Sequence, residues 1–233
     1  MPDSINSGFL DSHFTQIAHV ESPFGAKFGV PRQAGLAASE ARVVFEPEYR
    51  VAEAVRGLDG FDYVWLIWQF HLVERQDWSP TVRPPRLGGN RRVGVFASRS
   101  PFRPNPIGLS AVRLLAVEHD EHLGPVLRVE GADLVDGTPI LDIKPYIPYA
   151  DSHPDARAGF APDAPFARVA VEDPDGITLG LPDDLRKALF DALALDPRPS
   201  YQHDPQRVYT MPFAGLEVSF RVEDGRLVIV KKC

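Results

Sequence analysis

The run Asp62–His71, DYVWLIWQFH, contains the longest apolar stretch in the chain, Tyr63 to Phe70. It is far short of the roughly 20 residues that cross a bilayer as a helix. Its Val, Ile, Trp and Phe are strand formers, so the run reads as a buried β-strand. Similar runs recur on both sides: Thr15–Val20, Ala41–Phe45, Arg92–Ala97, Leu109–Val117, Pro125–Val129 and Ile140–Ile143, separated by Gly, Pro and Asp. One helix stands out in this region. Pro47 at a first-turn position, the spacing of Val51, Ala54, Val55 and Leu58, and Gly57 near the end predict a helix over residues 47–56. Many short strands without βαβ alternation predict a mainly β chain built on a closed or nearly closed antiparallel β-barrel. Neither a G-x-G-x-x-G fingerprint nor a Walker A loop is present, which removes the common nucleotide cradles.

Residues 151–165, DSHPDARAGFAPDAP, lack large aliphatic residues and are rich in Pro, Asp and Ala. This composition predicts a linker, and hence two units, 1–155 and 156–233. In the second unit, LPDDLRKALFDALAL (Leu181–Leu195) puts Leu185, Leu189, Ala192 and Leu193 on one helical face. Asp183 and Asp184 occupy its first turn, where the helix dipole favours anions. GLEVSFRV and RLVIVKK flank Glu223-Asp224-Gly225, and Asp-Gly between apolar strands is a strong hairpin signal. The tail is therefore expected to be a small α+β unit.

The chain has 233 residues and a formal net charge of −7, but the acids are unevenly placed. Between Asp77 and Glu118 there is none, while Arg83, Arg86, Arg91, Arg92, Arg99, Arg103 and Arg113 all fall there. Arginine's planar fork suits phosphate, carboxylate and base stacking, so the bias predicts an anionic ligand or nucleic acid. The single cysteine, Cys233, excludes an intramolecular disulfide framework. The seven histidines show no metal-ligand spacing, so no metal site is expected. No leader-like opening precedes the first strand, which predicts a soluble cytoplasmic protein without membrane contact.

Within the acid-free stretch, RSPFRPNPIG (Arg99–Gly108) contains Pro101, Pro104 and Pro106. These fix their own φ, remove three amide donors and push Ser100, Arg103 and Asn105 towards extended conformations. Recognition by such a stiff loop falls to the side chains of Arg99, Arg103 and Asn105. Downstream, DLVDGTPILDIKPYIPYAD (Asp133–Asp151) places Asp133 and Asp136 beside Gly137 at a strand end, where ligand contacts concentrate. Alternation puts Asp142 and Lys144 on one face, and predicts an ion pair between them. These residues imply an anionic or nucleotide-like ligand, and RNA as a partner, without specifying a reaction. A non-catalytic RNA-binding barrel shares the arginines. It is disfavoured by the shortage of interleaved aromatics, Phe96 and Phe102 being the only two between Arg83 and Arg113. A phosphoester hydrolase is weaker still, because no G-x-S-x-G elbow or metal-ligand spacing occurs.

Taken in order, SPFGAKFGVPRQAGL, AVRGLDGFDYVWLIWQFH, PTVRPPRLGGNRRVGVFASRSPFRPNPIGLS, DLVDGTPILDIKPYIPYAD and DPRPSY resemble the tRNA N6-threonylcarbamoyladenosine methyltransferase family, TrmO. The likeness is close over residues 15–151 and rests on DPRPSY and the helix-then-hairpin order beyond. It implies a non-Rossmann β-barrel that binds S-adenosylmethionine, forms a homodimer and methylates N6 of threonylcarbamoyladenosine at position 37 of threonine tRNA. It also implies a cofactor site made from Gln33, Ala34, Gly35, His71, Leu72, Arg99, Leu109, Glu130, Gly131, Ala132 and Asp133. On this reading Arg99 takes the cofactor carboxylate. Arg103, Asn105, Arg86, Arg91 and Arg92 face the substrate and its phosphates. The N6 lone pair is delocalised, so a base is expected, and Asp136 and Tyr146 are the two candidates.

Overall fold

The computed structural model describes residues 14–73, 77–84, 87, 91–161, 167–199, 201–202 and 204–231. Arg86, Cys233 and Ser200 of the DPRPSY motif lie outside the described residues. Six strands close an antiparallel barrel in the order β1-β2-β7-β6-β3-β8. They are β1 (Ala18–Glu21), β2 (Glu40–Phe45), β3 (Tyr63–Gln69), β6 (Ile107–Asp120), β7 (Gly124–Glu130) and β8 (Pro139–Pro145). Two short strands, β4 (Thr81–Val82) and β5 (Val93–Gly94), form a separate ribbon. The barrel interior is filled by Val20, Val43, Val64, Leu66, Val112, Leu127, Val129 and Ile140, all buried. Closure pairs each of these six strands on both sides.

The strand DYVWLIWQFH is present as β3, with Val64, Leu66 and Trp68 turned inward. β6 is longer than its apolar pattern suggested, because a register shift between Leu114 and Ala116 lets its far half continue pairing with β7. Two other expectations need correction. Residues 47–56 form separate 3-10 turns, Pro47–Tyr49 and Ala52–Val55, interrupted by extended Val51 (φ −110°, ψ 119°). Only Val55 in these turns is buried, so no apolar face sustains a longer helix. Arg50 instead donates to the carbonyls of Phe45 (2.9 Å) and His122 (3.2 Å). The strand expected over Arg92–Ala97 shrinks to β5, after which Val95–Ala97 turn as a 3-10 helix closed by Ser98 Oγ on the Val95 carbonyl (2.8 Å). A single anchoring side chain, Val95, is buried there.

A short helix α1 (Pro148–Asp151) leaves the barrel. The second sheet is ordered β10-β11-β12-β9, from β9 (Ala170–Glu172), β10 (Tyr209–Phe213), β11 (Leu216–Glu223) and β12 (Arg226–Val230). Helix α2 (Asp183–Ala194) packs Ala188, Leu189, Ala192 and Leu193 into its core. The Asp-Gly hairpin forms as expected, with Asp224 and Gly225 both at positive φ (48° and 74°). This second core also receives Phe24 and Ala37, with Phe28 and Val30 against it, all from the connection between β1 and β2.

Candidate functional site

Antiparallel order decides which connections meet. The links β1–β2 (22–39), β3–β6 (70–106, carrying the ribbon) and β7–β8 (131–138) all emerge at one end of the barrel. Gln33, Ala34 and Gly35 lie on the first, His71, Leu72, Arg99, Arg103 and Asn105 on the second, and Gly131, Ala132, Asp133 and Asp136 on the third. Three motifs far apart in sequence thus share one rim.

Direct contacts hold these motifs together. Gly35 N–H donates to the Gly131 carbonyl (2.9 Å), and Gly131 N–H to Ser39 (2.9 Å). Gly131 has φ +83°, and a Cβ there would stand 3.1 Å from Gly35 Cα, so only glycine permits this approach. Arg99 donates a short hydrogen bond to Gln33 Oε1, joining the arginine loop to the β1–β2 link. Beneath them, Trp68 Nε1 donates to Ser110 Oγ (3.0 Å), and Ser110 Oγ donates to Asp133 Oδ1 (2.5 Å). Gly108 makes room for the tryptophan, since a Cβ would meet its ring at 2.2 Å.

Burial pushes the Asp133 carboxyl above its ordinary value, against the opposing pull of the Ser110 hydroxyl, the Arg99 charge and the Ala34 amide. A carboxylate held in so unfavourable a place is a mark of a ligand site. Packing around His71 and the nearby Lys27 ammonium hold that imidazole below its usual range, so it is neutral at pH 7.

The remaining loop is stiff in the way its prolines require. Arg103 Nη1 donates to the Ser98 carbonyl (3.2 Å), Arg103 N–H to Pro101 (2.8 Å) and Ile107 N–H to Asn105 (2.7 Å). Arg103 therefore braces its own loop while remaining partly exposed. Arg91 and Arg92 are exposed, and Arg92 reaches Thr81 Oγ1 (2.9 Å) across the ribbon.

Several expected residues are not brought to the rim cluster. Leu109, 49% exposed, and Glu130 alternate with the inward Ser110 and Val129, so they face outward. Glu130 pairs there with Arg113 (3.4 Å). Tyr146 follows the last residue of β8, about 20 Å along that strand from the rim, where its N–H donates to the Tyr63 carbonyl (3.0 Å). Asp136 is at the rim and exposed, and its Oδ1 accepts from Ser22 N–H (2.9 Å). The Asp142–Lys144 pair is present at 2.8 Å on the outer face. Sequence reasoning missed Trp68, Ser110 and Lys27. Strand alternation points Ser110 inward, but nothing in the sequence shows that it bridges the Trp68 indole and the Asp133 carboxyl. Among the described residues, no group of three or more His, Cys, Asp and Glu side chains is placed to hold a metal.

The Arg99 guanidinium, the partly buried Asp133 carboxyl and the backbone of Ala34, Gly35 and Gly131 come together at this rim, and His71 and Leu72 lie on the connection that carries Arg99. This donor set fits a ligand with both an anionic and a cationic group and an apolar body. Fold and site together define a closed six-stranded antiparallel β-barrel, not a Rossmann sheet, with a cluster of polar groups at one rim.

Two family patterns match the chain: tRNA-methyltransferase O N-terminal domain over residues 19–152, and TrmO C-terminal domain over 177–232. It is 43% identical over 222 residues to a tRNA (adenine(37)-N6)-methyltransferase of Escherichia coli K12, covering 91% of this chain and 94% of that one. A Pseudomonas aeruginosa protein whose name describes an S-adenosylmethionine-dependent methyltransferase is 43% identical over 225 residues, with 92% and 94% covered. The crystal structure of TrmO from Pseudomonas aeruginosa superposes with TM-score 0.75 at 33% identity, covering 94% of this chain and 97% of that one. The chain belongs to the tRNA-methyltransferase O family.

Proposed function

We propose that this chain is an S-adenosylmethionine-dependent methyltransferase acting on N6 of adenosine 37 in tRNA, with threonylcarbamoyladenosine as the nucleoside it accepts. The observation that carries this reading is the Asp133–Ser110–Trp68 chain set beside Arg99 and the Gly35–Gly131 contact at one rim, in a member of this family.

S-adenosylmethionine supplies an electrophilic methyl group on a sulfonium. Arg99, which donates to Gln33 Oε1, takes its carboxylate in this reading. Asp133 holds the ammonium or the ribose hydroxyls, its carboxyl being positioned by the Ala34 amide. Leu72 and the neutral His71 cover the apolar body without adding positive charge next to a sulfonium. Catalysis then rests chiefly on presenting the nitrogen in line at about 3–3.5 Å and excluding water. Asp136 is the candidate that stands at the rim, and it accepts the N6 proton in this reading. Arg103, Asn105, Arg91 and Arg92 lie on the same connection and face the threonylcarbamoyl carboxylate and tRNA phosphates.

The proposal includes the division into units 1–155 and 156–233, supported by the separate family patterns. Action in the cytoplasm is inferred from a tRNA substrate. A homodimer is inferred from the family likeness, and light scattering measures it.

The deciding experiment is methyl transfer from labelled cofactor to threonine tRNA carrying or lacking the threonylcarbamoyl group, followed by nucleoside mass spectrometry. N6-methylated product only from modified tRNA is expected. Equal methylation of both tRNAs overturns the assigned nucleoside. Arg103→Ala is expected to lower the slope of log affinity against log salt by about one, and an unchanged slope removes its phosphate role.

A further inference from the structure

The β1–β2 link serves two masters, and one of them is the C-terminal unit. Its tip, Gln33–Gly35, contacts the barrel through Arg99 and Gly131. Its base is built into the second core. Phe24 is fully buried and meets Phe213 edge-on at 5.3 Å, Ala214 N–H donates to the Pro23 carbonyl (2.7 Å), and a Cβ on Gly29 would strike Met211 at 2.3 Å.

Between base and tip, the C-terminal unit holds the link's backbone after the turn and its Arg32 side chain before it. Arg168 donates through Nη2 to the Leu36 carbonyl (2.7 Å) and through Nη1 to Asp191 Oδ1 (2.7 Å). The other carboxylate oxygen of Asp191 accepts from Ala38 N–H (3.4 Å). Before the turn, Arg32 Nη2 donates to the carbonyls of Asp196 (3.3 Å) and Arg198 (3.0 Å). Those carbonyls belong to the DPRPSY motif, which is locked by a two-point Arg198–Asp196 pair (2.8 Å each). Asp196 assists by adopting φ +48°, which turns the chain sharply after α2.

We propose that Arg168, Asp191 and the Asp196–Arg198 turn are positioning residues: the C-terminal unit acts as a clamp that sets the Gln33–Gly35 turn for cofactor binding. The inference rests on the cofactor assignment made above. The physical reason is entropy. A connection running from 22 to 39 has many alternative paths, and ordering it on binding would weaken affinity. Held at both ends, its tip needs no ordering. The clamp acts on the donor site and not on the tRNA side, because its contacts end on backbone atoms of residues 36 and 38 and on the side chain of Arg32.

The test is cofactor titration of the full chain by calorimetry, with steady-state kinetics on tRNA, for wild type, Arg168→Ala and Asp191→Asn. Arg168 is half-exposed at the surface, and retained melting of both variants is read alongside. The expected result for Arg168→Ala is a rise of about tenfold in Kd and KM for S-adenosylmethionine. At saturating cofactor, kcat and KM for tRNA stay within twofold, and amide exchange at residues 33–38 rises. Asp191→Asn, which keeps an acceptor, gives a smaller rise in the same direction. If either variant unfolds, the other carries the same comparison. Unchanged cofactor Kd in the folded variants overturns the clamp, as does a loss confined to tRNA KM. Failure of wild type to bind S-adenosylmethionine sinks the parent assignment instead, so the two failures are distinct.

Discussion

The two ends of the barrel are made by the same strands yet treat their polar groups in opposite ways. At the end opposite the rim, Asp151 accepts from Ile147 N–H (2.7 Å) and Trp65 Nε1 (3.1 Å), and Asp120 accepts from His122 and Leu123 N–H (2.8 and 2.9 Å). These donors hold both carboxyls below their ordinary value. At the rim, Asp133 is held above it by burial. Two tryptophans of one strand show the same division. Trp65 secures a surface turn, while Trp68 feeds a chain of hydrogen bonds that ends on the strained carboxylate. One end uses charge to fasten the fold. The other holds a carboxyl against the cost of burial, the kind of compromise that proteins make at functional sites.

The largest effect expected from this contrast is at Arg99. Arg99→Ala removes a charge-assisted contact and should weaken cofactor binding roughly 10- to 100-fold by calorimetry, with little change in melting. A melting loss with intact binding would make Arg99 a structural residue like Asp151.

Gly108→Ala should follow. The new methyl displaces the Trp68 ring and breaks its bond to Ser110. Overpacking of this kind costs about 1–3 kcal/mol, read by denaturant unfolding.

Asp133→Asn separates the two ends most sharply. Cofactor affinity should fall about tenfold, while melting temperature at pH 7 rises. The sign follows from the raised carboxyl. Its penalty is full above the folded-state value and disappears as pH falls towards 3.8, the ordinary value. The melting advantage of Asp133→Asn over wild type should therefore shrink to zero across that window. A constant advantage from pH 7 to 4 would place its cause elsewhere.

Asp151→Ala should produce the smallest effect and the reverse pattern: a melting temperature lower by about 1–2 °C at pH 7, with cofactor affinity unchanged. Because its carboxyl is held low, the stabilisation is present above the ordinary value and is lost as pH falls below it.

Much of this was legible in the residues. Apolar runs rich in Val, Ile and Trp, divided by Gly and Pro, gave the barrel strands, and Asp224-Gly225 gave its hairpin because both positions need positive φ. The family likeness, through PRQAG, RSPFRPNPIG and DLVDG, gathered Gln33, Arg99 and Asp133. Residues 47–56 misled because helical spacing was read without knowing that Arg50 would turn away to Phe45 and His122. Leu109 and Glu130 rest on the family likeness and Tyr146 on its chemistry as a base; where their side chains stand, on the outer wall or at the far end, follows from strand alternation and strand direction.

The sequence alone determined the local events: where strands run, where proline forbids a helix, where arginine accumulates without acids. These depend on neighbours a few residues apart. Only the tertiary structure decided that links 22–39, 70–106 and 131–138 share a rim, that Ser110 joins Trp68 to Asp133, and that Arg168 of the second unit holds the 22–39 link at Leu36. Those facts depend on strand order, barrel closure and contacts between residues 23 to 132 positions apart, which no local pattern encodes.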